Sequence, residues 1–278
     1  MSGGSLGRRV AAIGRRVRAD YGGKDRTAEY RTLLETARDA GYSLVSLGAF
    51  RAAVAADAAA PAGPILALRH DIDVTDVAGN EAFLAAETAV GATATYYLRL
   101  ATAPAHAAFV ARLLDAGFDV GYHYEEAATV AKRIRARDRD VVDAQRPAIE
   151  AAFRGNVDRF RARYAPDLRS VASHGDWMNR ALGFRNNEFV TPALLAACGL
   201  DFEAYDASVL GRADAYVSDV ATPPVLWADG LGLTEAIAAG SARIVMLTHE
   251  RQWHTNRTAS LRSDATRLFE GLAARLPG

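Results

Sequence analysis

The stretch Ile65-Leu66-Ala67-Leu68-Arg69-His70-Asp71-Ile72-Asp73 decides how the chain is read. It follows Pro61-Ala62-Gly63-Pro64, and its leading apolar run has the character of a short strand buried on both faces. The strand runs straight into His70, Asp71 and Asp73, polar groups that an apolar interior tolerates only when something pairs with them. Period-2 alternation places Asp71 and Asp73 on one face and His70 on the other. Two carboxylates on one face repel each other, and a bound cation relieves that repulsion. A turn or a helix N-cap is the other common use of Asp-x-Asp, so the rest of the chain has to decide between them.

Across 278 residues, 33 basic side chains balance 33 acidic ones, which leaves no overall charge argument for nucleic acid or an anionic membrane. A single cysteine, Cys198, excludes an intramolecular disulfide framework and fits a reducing compartment. Residues 1–26 read as a basic helical extension carrying Arg8, Arg9, Arg15, Arg16 and Arg18, with residues 27–278 as one domain. No apolar run matches a signal peptide or a membrane span, so the expected setting is the cytoplasm.

Helical periods alternate with short apolar strands nearly to the end. Helices are expected at 27–40, 48–58, 78–90, 105–116, 147–164, 191–198, 231–239 and 259–275. Strands are expected at 43–47, 65–72, 93–98, 118–122, 170–173, 202–205, 215–219 and 243–247. The charged run containing Arg133, Arg135, Arg137 and Arg139 reads as a solvated face. This alternation argues for an α/β fold: a parallel sheet wrapped by helices and closed, or nearly closed, into a barrel.

Of six histidines, five fall at or just beyond the C-terminal end of a strand: His70, His123, His174, His249 and His254. His106 lies on a helix and is taken as a surface residue. Active sites of α/β barrels assemble at the C-terminal rim, where loops from several strands converge. One aspartate and two imidazoles make a common zinc-type ligand set with an open position, and a carboxylate and a further histidine remain for proton transfer.

These residues resemble the polysaccharide deacetylases (carbohydrate esterase family four), most closely the branch without an export signal. The resemblance runs from about Tyr30 to the last strand. It is carried by Leu68-Arg69-His70-Asp71-Ile72-Asp73, Asp119-Val120-Gly121-Tyr122-His123-Tyr124-Glu125, Ser173-His174-Gly175, Tyr205-Asp206 and Leu247-Thr248-His249. It implies an irregular (β/α) barrel of about seven strands. It makes Asp71 the catalytic base, Asp73 and His123 metal ligands, and His249 the general acid.

Two departures stand out. Ala127 occupies the position of the family's second histidine, and no Arg-x-Pro follows the Ser170 strand. We therefore expect His174 as third ligand, with Glu125 or Glu126 as the fallback, and Arg69, Arg180 or Arg185 beside Asp71. Asp206 is expected to keep His249 protonated.

Trp177, Arg180 and Arg185 lie in a polar and aromatic loop suited to a polyhydroxylated ligand, while Trp227 and Trp253 are candidates to wall an acyl pocket. The expected activity is metal-dependent hydrolysis of an N-acyl group, with zinc foremost and Co2+, Mn2+ or Ni2+ as other ions, on a sugar-like small molecule. Another metallohydrolase or isomerase, a metal-free sugar-binding barrel, and an interaction module acting through the basic N-terminal segment are the other readings.

Overall fold

The computed structural model describes residues 21–23, 25–55, 63–219 and 232–273. The basic segment 5–18 and Trp227 lie outside the described residues. Eight strands form one sheet: β1 (Ser43–Ser46), β2 (Ile65–Ile72), β3 (Thr95–Leu98), β4 (Asp119–Tyr124), β5 (Ser170–Ser173), β6 (Phe202–Glu203), β7 (Ala215–Ser218) and β8 (Arg243–Thr248). Their order is β6-β5-β4-β3-β2-β8-β7, and β1 pairs with the first half of β2. All the ladders are parallel. No ladder joins β6 to β7 among the described residues, so the sheet is a curled, incompletely closed (β/α) barrel.

β2 is the hub because it is buried along its whole length and pairs with β1, β3 and β8. Its side chains sort by parity. Ile65 and Ala67 enter the inner cluster with Tyr97, Ala172, Phe202 and Val245. Leu66, Leu68 and Ile72 face outward into the larger cluster beneath the helices. Each such leucine contributes about 1.5–3 kcal/mol by leaving water. The same parity carries Arg69 and Asp71 inward and His70 outward.

Inside the barrel, a Cβ on Gly121 would sit 2.2 Å from the Tyr97 ring, so only glycine lets that ring cross the interior. Outside it, the helix Val77–Val90 starts where the Asp76 carboxylate accepts from Gly79 N–H and stops at Gly91, φ 72°.

Three expectations change. The strand at 202–205 is shorter because the chain turns after Glu203, with Asp206 N–H donating back to the Glu203 carbonyl. The charged stretch contains two helices, Glu126–Arg133 and Arg139–Asp143. His106 is buried rather than exposed, with Nδ1 3.0 Å from the Thr102 carbonyl and Nε2 3.2 Å from Asn80 Nδ2. Among the described residues no helix is long and apolar enough to cross a membrane.

Candidate active site

The C-terminal end of β2 brings two carboxylates to the barrel mouth. Arg69 grips Asp71 with two parallel bonds, Nε to Oδ1 and Nη2 to Oδ2, both 2.8 Å. The guanidinium is itself buried, lying 4.3 Å from the Tyr205 ring centroid and 5.3 Å from that of Tyr97. Burial favours a protonated Asp71, but the charge and hydrogen bonds of Arg69, together with the charges of His123 and His249, outweigh it and hold the pKa below the usual carboxylate value. Asp71 is therefore an ionised carboxylate in a dry site. Of the three arginines considered as its partner, the adjacent Arg69 is the one in contact.

Asp73 begins the following loop, which is pinned where Val74 N–H donates to the buried Glu250. Asp73 Oδ1 lies 3.4 Å from His123 Nε2 and 3.5 Å from His174 Nε2. The far nitrogens of both rings are committed. His123 Nδ1 meets the Ala172 carbonyl at 2.9 Å, and His174 Nδ1 meets Glu125 Oε2 at 2.8 Å. Carbonyls and carboxylates only accept, so Nδ1 carries the proton in each ring and Nε2 offers a lone pair. Asp73 Oδ1 thus faces both ring nitrogens without a donor between. Asp73 Oδ1 and His174 Nε2 are both buried and have no hydrogen-bond partner. A divalent ion satisfies all three at once, and the carboxylate and carbonyl behind the rings are the usual supports of metal-binding histidines.

The fallback carboxylates are occupied elsewhere. Glu125 spends one oxygen on His174 and the other on Arg99, at 2.5 Å. Glu125, His174 and Asp176 also bring one ligand atom each within 4.8 Å of one another. However, Asp176 already accepts from Lys132 Nζ at 3.0 Å and Met178 N–H at 2.8 Å, so that cluster is neutralised by cations. Glu126 faces away and accepts from Tyr122 and Asn156. Ala127 is buried in an apolar cluster with Met178, Phe184 and Phe189.

On the other side of β2, His249 follows β8. Its Nδ1 lies 2.7 Å from Asp219 Oδ1, while its own N–H and Trp253 Nε1–H donate to Asp219 Oδ2 at 2.7 and 2.9 Å. Burial resists a charge on this ring, but the Asp219 carboxylate, joined by the charges of Asp73 and Asp71, pushes its pKa up to about 10. Asp206 does not meet His249; its Oδ2 accepts from Glu203 N–H at 3.0 Å within the turn after β6. Asp219 went unassigned in the sequence, although Val217-Ser218-Asp219 presents an acid at a strand end as clearly as Asp71 does.

The other rim residues separate. His70 points outward, with Nε2 2.5 Å from Glu87 Oε1 and Nδ1 2.6 Å from Thr248 Oγ1. His254 pairs with Asp76 at 2.6 Å. Two cavities meet at His174: one of about 720 Å³ containing Asp73, Arg99 and Glu125, and one of about 420 Å³ containing Arg185, Asn187 and Tyr205. Arg180 is exposed and lines neither. Trp177 packs half-buried beside Ala127, its Nε1–H 3.4 Å from Glu270. Trp253 is buried, with its indole N–H donating to Asp219.

No family model matches the sequence, and no curated protein matches it. Solved structures do show a likeness. This chain is similar to polysaccharide deacetylases. A mutant of peptidoglycan deacetylase PdaC from Bacillus subtilis is 11% identical over 77% of this chain and 87% of that one, with a TM-score of 0.42. A mutant of BA3943, described as a CE4 family pseudoenzyme, is 12% identical over 76% and 63%, with a TM-score of 0.44. PdaA from Bacillus subtilis, a family 4 carbohydrate esterase, is 10% identical over 74% and 75%, with a TM-score of 0.33.

Proposed function

We propose that the protein is a metal-dependent hydrolase that removes an N-acyl group, in the simplest case N-acetyl, from an amino sugar or a related small molecule. The observation that carries this reading is the donor-free approach of Asp73 Oδ1 to His123 Nε2 and His174 Nε2, with Asp71 held ionised and His249 held protonated nearby. Asp73, His123 and His174 would hold the ion, for which zinc suits the nitrogen-rich set best, and when bound it supplies polarisation of the acyl oxygen and acidification of water.

The chain's own groups handle the protons. Asp71 takes one from the attacking water as its oxygen bonds to the acyl carbon. Arg69 keeps that carboxylate ionised and aimed. His249, held as imidazolium by Asp219, gives a proton to the amine nitrogen as the carbon–nitrogen bond breaks. The products are a carboxylic acid and a free amine; Asp71 is left protonated and His249 neutral, and transfer of that proton to His249 through solvent resets both for the next turnover. We place the reaction in the cytoplasm, where a single buried cysteine stays reduced.

Elemental analysis of the purified protein and of His174→Ala, with an acetate-release assay on N-acetylated amines, tests this. One ion per chain, lost in the variant, together with release of acetate is the expected result. Full metal occupancy with no turnover on any acylated amine would overturn the hydrolase and favour a sugar-binding barrel.

A further inference from the structure

The larger cavity is a cleft between the helix Glu126–Arg133 and the C-terminal helix Arg257–Ala273, opening from Asp73 and His174. Its charges divide into two groups. The inner cations are neutralised: Arg99 by Glu125, and Lys132 by Asp176 at 3.0 Å and Glu270 at 2.9 Å. Arg133, Arg135 and Arg262 also line the cleft, and among the described residues their guanidinium groups make no ion pair or hydrogen bond. The cleft thus pairs every cation near the metal ligands and leaves three arginines uncompensated at its outer end. The helix C-terminus offers Arg133 a partial negative charge, but only within the last turn.

Arg135 carries a second, independent signal. It is the one non-glycine residue with positive φ, 53°, among those described, at the position after a helix end where glycine costs least. Backbone strain of this kind persists where a side chain is needed in place. Arg133, Arg135 and Arg139 are all exposed, as a solvated face requires; Arg139 pairs with Glu188 and Asp143, while Arg133 and Arg135 face the cleft.

We propose that Arg133, Arg135 and Arg262 bind a phosphate group on the substrate, so that the preferred substrate is a phosphate-bearing N-acylated amine. This rests on the hydrolase reading above and adds the substrate's charge class. Three guanidinium forks present more donors and charge than a single carboxylate accepts, and they match the oxygens of a phosphate ester or diphosphate. A cavity of about 720 Å³ accommodates a sugar bearing either.

The test uses the metal-loaded full chain with three probes: N-acetylglucosamine, its 1-phosphate and its uridine-diphosphate-linked form. Acetate release should favour a phosphate-bearing probe by about tenfold or more in kcat/KM, with the preference shrinking as salt is raised. Preference between the last two probes identifies a monoester or a diphosphate as the group bound. Arg133→Ala and Arg262→Ala should each cut kcat/KM on the phosphate-bearing probe by roughly three- to tenfold, and by clearly less on the neutral one.

Arg135→Gly should do the same while the thermal midpoint stays level or rises, because the strained position relaxes. A purely structural Arg135 would give the opposite pattern. Arg163→Ala, an exposed arginine on the helix Arg146–Arg163, is the charge control and should change nothing. Equal kcat/KM on neutral and phosphate-bearing probes, or variants that slow both alike, overturns the proposal.

If no probe releases acetate, the hydrolase reading fails and the anion site is still judged by calorimetry. Chelator-treated protein should bind pyrophosphate, and the Arg133→Ala/Arg135→Gly/Arg262→Ala variant should lose that binding. Absence of binding in the unmodified chain overturns the proposal independently of turnover.

Discussion

Asp219 Oδ1 lies 2.7 Å from His249 Nδ1, and the other oxygen of the same carboxylate accepts from the His249 backbone and the Trp253 indole. The carboxylate is fully buried, so its charge acts on the ring with little screening. One strand end, β7, thereby sets the protonation state of a residue delivered by its neighbour, β8.

Removing that charge should move the alkaline limit of activity. Burial lowers the His249 pKa, but the Asp219 carboxylate, with smaller contributions from Asp73 and Asp71, more than reverses this and raises it to about 10, so the acid form is populated below that pH. In Asp219→Asn the alkaline limb of the kcat profile should shift down toward the ordinary histidine value of about 6.5. The stability linkage has the same sign. A raised folded-state pKa stabilises fully below about 6.5, and the contribution fades as pH rises through about 10. An NMR titration of the His249 ring in both proteins checks the shift; an unmoved midpoint would assign the proton to another group.

Asp71→Asn should retain the metal and lower kcat by roughly 10²–10⁴, the usual loss for a general base. Metal content and single-turnover rates on the same preparation separate the two effects. A variant that arrives metal-free makes Asp71 a ligand and leaves the base to be found.

Arg69→Met strips a buried carboxylate of its partner and should cost about 3–5 kcal/mol of folding stability, read by urea unfolding. Adding Asp71→Asn to Arg69→Met should recover part of that loss, since the stranded charge is gone. Additive losses would mean that the pair is not coupled as its two 2.8 Å bonds indicate.

Gly121→Ala drives a methyl group into the Tyr97 ring, 2.2 Å away, and should destabilise the barrel by about 1–3 kcal/mol. Tyr97→Leu in the same chain should relieve most of that cost. Thermal unfolding of the single and double variants decides it, and no rescue would locate the strain elsewhere.

Sequence periodicity alone determined which side chains share a face of β2. Alternation along β2 puts Asp71 and His70 on opposite faces, a local consequence of the pleat that needs no knowledge of neighbouring strands. The strand–helix alternation likewise predicts the parallel sheet, because parallel neighbours require a crossover between them. The same strand-end rule named His123, His174 and His249, which the fold brings to one mouth. It also named His70 and His254, which face Glu87 and Asp76 instead.

What the tertiary structure alone decided is who meets whom. Asp206 and Asp219 both end strands, and only strand order puts β7 beside β8, leaving Asp219 against His249 while Asp206 closes its own turn. Arg69, Arg180 and Arg185 were equal as partners for Asp71 until the sheet buried Arg69 between Tyr97 and Tyr205. His106 looked solvated by its helix position, yet packing sealed it against Asn80. Periodicity is a property of consecutive residues, whereas a pairing energy depends on the distance between segments far apart in the chain, and that distance exists only once the sheet has curled.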